Sequence, residues 1–300
     1  KILITGGTGF IGRHLIPRLL EDDHQLVVLT RSETKARELF GASVRVISDL
    51  EQIASDEPLD GIINLAGEGI ADKRWSEKRK QLLLDSRIDT TADLISLMMR
   101  LERKPEVLIS GSAIGFYGGR TDALQLDEQS GVVNDYTHQL CQQWESEALK
   151  AQSMGVRVCL IRTGVVLGDG GALAKMLLPF KLGLGGPVAS GDQWMSWIHI
   201  EDEVDIISMM LTHPQFNGAY NLTAPGAVTN ADFSRGLAAA LSRPAWFRVP
   251  AFVLQLMLGE GSDLLVRGQR VFSKRLLDAG YEFAYPDLTA ALNQLLKQRK

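Results

Sequence analysis

Apolar positions follow two rhythms along this chain. Short, nearly continuous apolar runs at Lys1–Thr5, Gln25–Thr30, Val44–Ile47, Gly61–Leu65, Glu106–Ser110 and Val156–Arg162 read as strands. Between them, apolar residues at helical spacing mark Ile11–Glu21, Glu33–Phe40, Ser76–Glu102 and Tyr136–Gln152. The strands lack polar–apolar alternation, which is the pattern of parallel strands covered on both faces. Strand and helix in turn predict an α/β fold, a Rossmann-type doubly wound parallel sheet over residues 1–167. Beyond it the rhythm changes. Glycine and proline punctuate Gly168–Pro187, and helices are expected at Asn230–Leu241 and Pro250–Leu258. Residues 168–300 are therefore expected to form a smaller, mostly helical substrate lobe, with Ala219–Leu222 returning to the main sheet as a strand.

Composition narrows the class. Of 300 residues 45% are hydrophobic and 23% charged, values that fit a packed globular chain and exclude a disordered or fibrous one. The net charge of −4 gives no electrostatic case for nucleic acid or an anionic membrane, and neither is expected as a partner. Apolar stretches such as Pro250–Gly259 fall well short of a bilayer span. Lys1–Thr5 reads as a strand and not as a secretory leader. Cys141 and Cys159 lack the spacing of a zinc site and read as small core residues of a reducing compartment. The expectation is a cytoplasmic protein without a metal, acting on a small molecule.

Candidate chemistry begins at Gly6-Gly7-Thr8-Gly9-Phe10-Ile11-Gly12, between the first strand and the first helix. Gly6, Gly9 and Gly12 serve a tight turn, the close approach of backbone to a diphosphate, and close packing of helix on strand. Unpaired amides and the helix dipole then face the phosphates. At the end of the second strand, where a carboxylate would bind the ribose hydroxyls of NAD, the chain has Thr30-Arg31-Ser32. Arginine suits a 2′-phosphate through charge-assisted, bidentate hydrogen bonds, so NADP(H) is expected over NAD(H).

With Asn64-Leu65-Ala66-Gly67, Ser110-Gly111-Ser112 and Trp197-Ile198-His199-Ile200 added, the chain resembles the extended short-chain dehydrogenase/reductase superfamily from residue 1 to about 285. It is most similar to YfcH-type epimerase family proteins, on Asn64–Glu68 with Asp72–Trp75, Arg162–Gly168 and Pro179–Pro187. The resemblance implies that Leu65 and Ala66 lie against the adenosine side of the cofactor, Arg87 near its phosphates and Val166 near the nicotinamide. It also implies that the long helices 76–102 and 136–152 correspond to those that pair relatives into homodimers.

Such enzymes use a serine or threonine with a Tyr-x-x-x-Lys pair on one helix, where the ammonium lowers the tyrosine pKa. Ser112 stands at the serine position and Tyr136 near the tyrosine position, but Leu140 stands four residues on, where lysine is needed. His138 reads as a solvated or capping residue, and His199 as architectural. Glu68 and Tyr117 border the expected substrate cleft, Glu68 as acid/base, substrate ligand or loop tether and Tyr117 as substrate contact or packing aromatic. Two functions stay open: an NADP(H)-dependent oxidoreductase or sugar-nucleotide-type epimerase, and a cofactor-bound sensor with little or no turnover.

Overall fold

The apolar runs do pair into one parallel sheet in the computed structural model, which describes residues 1–297. Its strands, with the short pieces between them, are β1 (Ile2–Thr5), β2 (Leu26–Leu29), β3 (Arg45–Ile47), β4 (Gly61–Asn64), β5 (Val107–Ala113), β6 (Gln125–Leu126), β7 (Arg157–Thr163), β8 (Val165–Leu167), β9 (Trp194–Met195), β10 (Trp197–His199) and β11 (Gly218–Leu222). The helices are α1 (Gly12–Glu21), α2 (Glu33–Phe40), α3 (Glu77–Arg100), α4 (Tyr136–Leu149), α5 (Gly171–Lys181), α6 (Ile200–Thr212), α7 (Asn230–Ala240) and α8 (Ala251–Leu258), followed by shorter pieces and a helix at Leu288–Lys297. The seven-stranded sheet runs β11-β7-β5-β4-β1-β2-β3. Strand order reverses between β1 and β4, the switch point where open α/β sheets bind ligands at their carboxyl edge.

Both faces of the sheet are covered, which is why its strands read as continuous apolar runs. Ile4, Val28, Ile63, Ile109 and Ile161 pack on one face with Leu15 and Ile16 of α1 and Ile206 and Met210 of α6. Leu3, Val27, Ile62, Leu108 and Val158 pack on the other with Leu94 and Met98 of α3 and Ala148 of α4. A separate core of Leu173, Leu177, Phe180, Phe233, Leu237 and Leu292 holds the C-terminal lobe.

In the second half β11 returns to the sheet as expected, pairing parallel to β7 at its edge, and α6, which also lies beyond residue 167, packs on the same sheet body. α6 escapes a periodicity reading because Val204, Ile206, Ile207, Met210 and Leu211 are all buried and leave too little polar face. α5 hides behind Pro179 and its flanking glycines. The helix expected over Tyr136–Gln152 tightens into a 3-10 turn at Lys150.

Candidate functional site

The glycine turn meets each requirement by measurable contact. Gly6 has φ +67°, and a Cβ there would run into the Leu65 carbonyl at the end of β4. A Cβ at Gly12 would lie 2.6 Å from the Gly6 carbonyl oxygen and the Gly7 Cα, so the first turn of α1 fits against the β1 exit only as glycine. At Gly9 the nearest obstacle is the Gly6 carbonyl at 3.0 Å, and the residue is exposed, leaving that side of the turn approachable. No side chain caps α1, and no acidic residue stands in its first turn. Its positive end therefore keeps the amides and field that a diphosphate requires. The Phe10 ring does not face that space. It fills the turn after β8, where Gly168, Gly170 and Gly171 leave it room, while Arg13 ties the same turn through Asp169 at 2.9 Å. Phe10 and Ile11 thus bring backbone to the site and side chains to its support.

Beside the turn three arginines surround the loop after β4. Thr30 accepts the Ser32 amide at 3.1 Å and shapes the turn that projects Arg31, whose side chain is 92% exposed. The Arg31 Nη2 donates to Glu68 Oε1 at 3.3 Å, and the other Glu68 oxygen accepts from buried Arg79 at 3.2 Å. Hydrogen bonds from Arg79 and then Arg31 outweigh burial and hold the Glu68 carboxyl below the usual carboxylate range. Glu68 is therefore an ion paired with two arginines, and its Oε atoms hold Arg31 and Arg79 beside the loop after β4. Arg87 donates to the carbonyls of Glu68 at 3.0 Å and Leu83 at 2.8 Å, and its guanidinium would crowd any Cβ at Gly67. It fixes the Leu65–Gly67 rim from beneath. Arg79 lies two turns before Arg87 on α3, in the basic stretch of residues 73–87, and that helical phase brings both to the loop after β4.

The opposite end of the site, around β5 and α4, is built differently. Ser112 is buried, and its hydroxyl donates to Glu145 Oε1 at 2.6 Å. Glu145 also receives the Arg162 Nε at 2.8 Å and Nη2 at 2.9 Å. Arg162 continues to the Tyr117 hydroxyl at 3.2 Å, which donates to Asn221 at 2.7 Å. Tyr117 is 0% exposed and so cannot touch a substrate, which corrects its expected place on the cleft wall. The 3-10 turn Ile114–Tyr117 swings it inward, and burial raises its pKa.

Tyr136 also departs from expectation. Its hydroxyl donates to the Lys80 carbonyl at 2.8 Å, its ring packs edge-on against Trp75, and burial raises its pKa above the ordinary phenol value. Its neighbours Thr137 and Cys141, one turn apart, are the α4 residues that line the turn after β5, against Gly115. Burial pushes the Cys141 thiol up to about 12, so it is no nucleophile at neutral pH. His138 is buried against the Phe116 carbonyl at 2.6 Å and is not solvated. His199 caps α6, is buried and stacks on Tyr285, as an architectural residue would. Val166 is partly buried in β8, which pairs with β10 beside the sheet.

A seven-stranded parallel sheet with its switch point at an uncapped, glycine-built helix start defines a Rossmann-type fold of short-chain dehydrogenase/reductase architecture. A family model described as NAD dependent epimerase/dehydratase family matches residues 2–223, and one described as a domain of unknown function, DUF1731, matches residues 249–295. The chain belongs to the NAD dependent epimerase/dehydratase family. It is 41% identical to the chloroplastic epimerase family protein SDR39U1 homolog of Arabidopsis thaliana, over 99% of this chain and 86% of that protein. It is 38% identical to epimerase family protein YfhF of Bacillus subtilis, over 100% and 99%. The crystal structure of human epimerase family protein SDR39U1 with NADPH superposes with a TM-score of 0.89 at 34% identity, covering 99% of both chains. A Thermus thermophilus UDP-glucose 4-epimerase complex with NAD has a TM-score of 0.78 at 17% identity and shares the fold.

Proposed function

We propose that this chain binds NADP(H) in preference to NAD(H) and uses it as an oxidoreductase on a small substrate. The observation that carries the reading is Arg31, projected into solvent at the carboxyl edge of β2 and bonded to Glu68. The NADPH in the human relative's crystal structure supports it. In this reading the Gly9–Gly12 backbone and the α1 terminus hold the diphosphate, Arg31 takes the 2′-phosphate, Leu65 and Ala66 line the adenosine side, and Val166 borders the nicotinamide end. Arg79 keeps Glu68 paired when Arg31 turns from the carboxylate to a phosphate, so the carboxylate is not left without a partner. The bound nicotinamide supplies a hydride donor or acceptor.

A second reading, a cofactor-bound sensor with little or no turnover, is favoured by one observation. The Tyr136 hydroxyl is spent on a backbone carbonyl, and Leu140 stands where a lysine would activate it. Calorimetric titration with NADPH, NADP⁺, NADH and NAD⁺, followed by a turnover screen over carbonyl compounds and sugar nucleotides, decides between them. NADPH is expected to bind about tenfold or more tightly than NADH, the effect of one charge-assisted contact. Equal affinities would sink the 2′-phosphate assignment. Substrate-dependent NADPH oxidation would establish the enzyme, and tight binding without turnover the sensor.

A further inference from the structure

The C-terminal lobe presents an apolar face that its own core does not use. α8, Ala-Phe-Val-Leu-Gln-Leu-Met-Leu, is apolar at every position but one, the composition of a helix enclosed by protein or lipid. Yet it lies on the surface and buries only Leu254. It is not loosely docked. Its C-terminal backbone is pinned to the sheet body, the Leu258 carbonyl accepting from the Trp75 amide at 3.1 Å and the Leu256 carbonyl from Arg74 at 3.2 Å. The preceding segment runs beside the loop after α5. The Val249 amide donates to the Pro187 carbonyl at 3.0 Å, and Arg243 to the Lys181 carbonyl at 3.1 Å. Together these elements leave Leu178, Leu182, Trp246, Phe252 and Leu256 between 65% and 84% exposed. Scattered apolar side chains are ordinary on a surface, but a grouping of this kind marks an interaction site.

Charge identifies the occupant. Residues 171–187 and 241–259 contain Lys175, Lys181, Arg243 and Arg248 and no carboxylate, in a chain whose acidic residues outnumber its basic ones. Lys181, Arg243 and Arg248 are exposed and make no ion pair among the described residues. The nearby carboxylates Asp72 and Glu260 are already paired with Lys175 and Lys80. The overall charge of −4 therefore conceals a cationic, aromatic-bearing face.

We propose that this face, formed by α5, residues 243–249 and α8, seats the protein on an anionic lipid bilayer. Trp246 and Phe252 would enter the headgroup–acyl boundary, where amphipathic rings partition. The lysine and arginine stems would lie along the same boundary with their charges toward lipid phosphates. Among the described residues no helix is long and apolar enough to cross a membrane, so the contact is with the surface alone.

Co-sedimentation of the whole chain with vesicles of phosphatidylcholine, and of equal parts phosphatidylcholine and phosphatidylglycerol, tests this. Binding to the anionic vesicles should exceed binding to the neutral ones by about tenfold or more and fall as salt is raised. The double variant Trp246→Ser/Phe252→Ser should lose about tenfold of that binding while its thermal melt and NADPH titration stay unchanged, which shows that it folds. The proposal is overturned if anionic vesicles do not sediment the protein or if the double variant binds them as well as the parent. It is equally overturned if sedimentation velocity shows a dimer that the double variant dissociates, since a second copy would then cover the face.

Discussion

The two ends of the candidate site lie on one sheet edge and are built on opposite principles. At the β1–β2–β4 end, groups are left unspent: α1 has no side-chain cap, Gly9 is open, and Arg31 reaches into solvent with one displaceable partner. At the β5–α4 end, polar groups are consumed. Ser112, Glu145, Arg162, Tyr117 and Asn221 bond to one another in the interior, and Tyr136 bonds to a backbone carbonyl. Ligand recognition needs groups without internal partners, whereas a satisfied buried network rigidifies its surroundings. One end keeps its polar groups open to solvent and the other holds a shape.

The largest effect expected from this contrast is on stability. Glu145→Ala removes one partner of a buried ion pair and strands Arg162, which should cost about 3–5 kcal/mol in urea denaturation. The NADPH affinity of the folded fraction should change little. Loss of cofactor affinity with unchanged stability would reverse the assignment of the two ends.

Glu203 tests the same interior through pH. It is fully buried on α6, with one oxygen accepting from Thr163 at 2.8 Å and the other unpartnered, and burial pushes its pKa up to about 8. The unfolded carboxyl titrates near 4.5, so between those values the folded state holds a proton that the unfolded state has lost. Its contribution is full below pH 4.5 and is lost as pH rises through about 8, falling by about 1.4 kcal/mol for each pH unit in between. Denaturation profiles across that window should therefore slope downward for the parent and flatten for Glu203→Gln. Parallel slopes would show that the group is ionised in the fold.

What was legible in the chain divides along the same line. The glycine turn and Arg31 were readable because strand, turn and helix are contiguous and the chemistry belongs to backbone and one exposed side chain. The β5–α4 end was not, because its partners meet across long separations: Ser112 with Glu145, Tyr117 with Asn221. Successive residues on α4 also differ by roughly 100° in direction. A single position separates Tyr136, which faces α3, from Thr137, which faces the turn after β5, and nothing in the local pattern sets that phase. The apolar face of α8 could be seen as composition, but whether it was core or surface depended on what packed over it.

Arg31→Ala should act at the open end alone. NADPH binding should weaken by roughly 1–3 kcal/mol, the range for a lost hydrogen bond to a charged group. NADH binding and the thermal midpoint should hardly move, since the side chain is almost wholly exposed. Equal losses for both cofactors in the titration would mean that Arg31 shapes the turn and does not read the phosphate.

The smallest expected effect is the most discriminating for chemistry. Tyr136→Phe keeps the ring, with its edge contact to Trp75 at 4.9 Å and Lys80 over its face, and deletes only the hydroxyl that bonds the Lys80 carbonyl. Stability should fall by about 0.5–1.5 kcal/mol, the net worth of one such bond. A phenol whose pKa burial raises above its ordinary value stays protonated at neutral pH, so turnover on any substrate the screen finds should change by less than about twofold. A general base in this position would be worth about a hundredfold or more. A loss of that size would mean that the hydroxyl leaves the Lys80 carbonyl when substrate binds, and the closed end of the site would then open during the reaction.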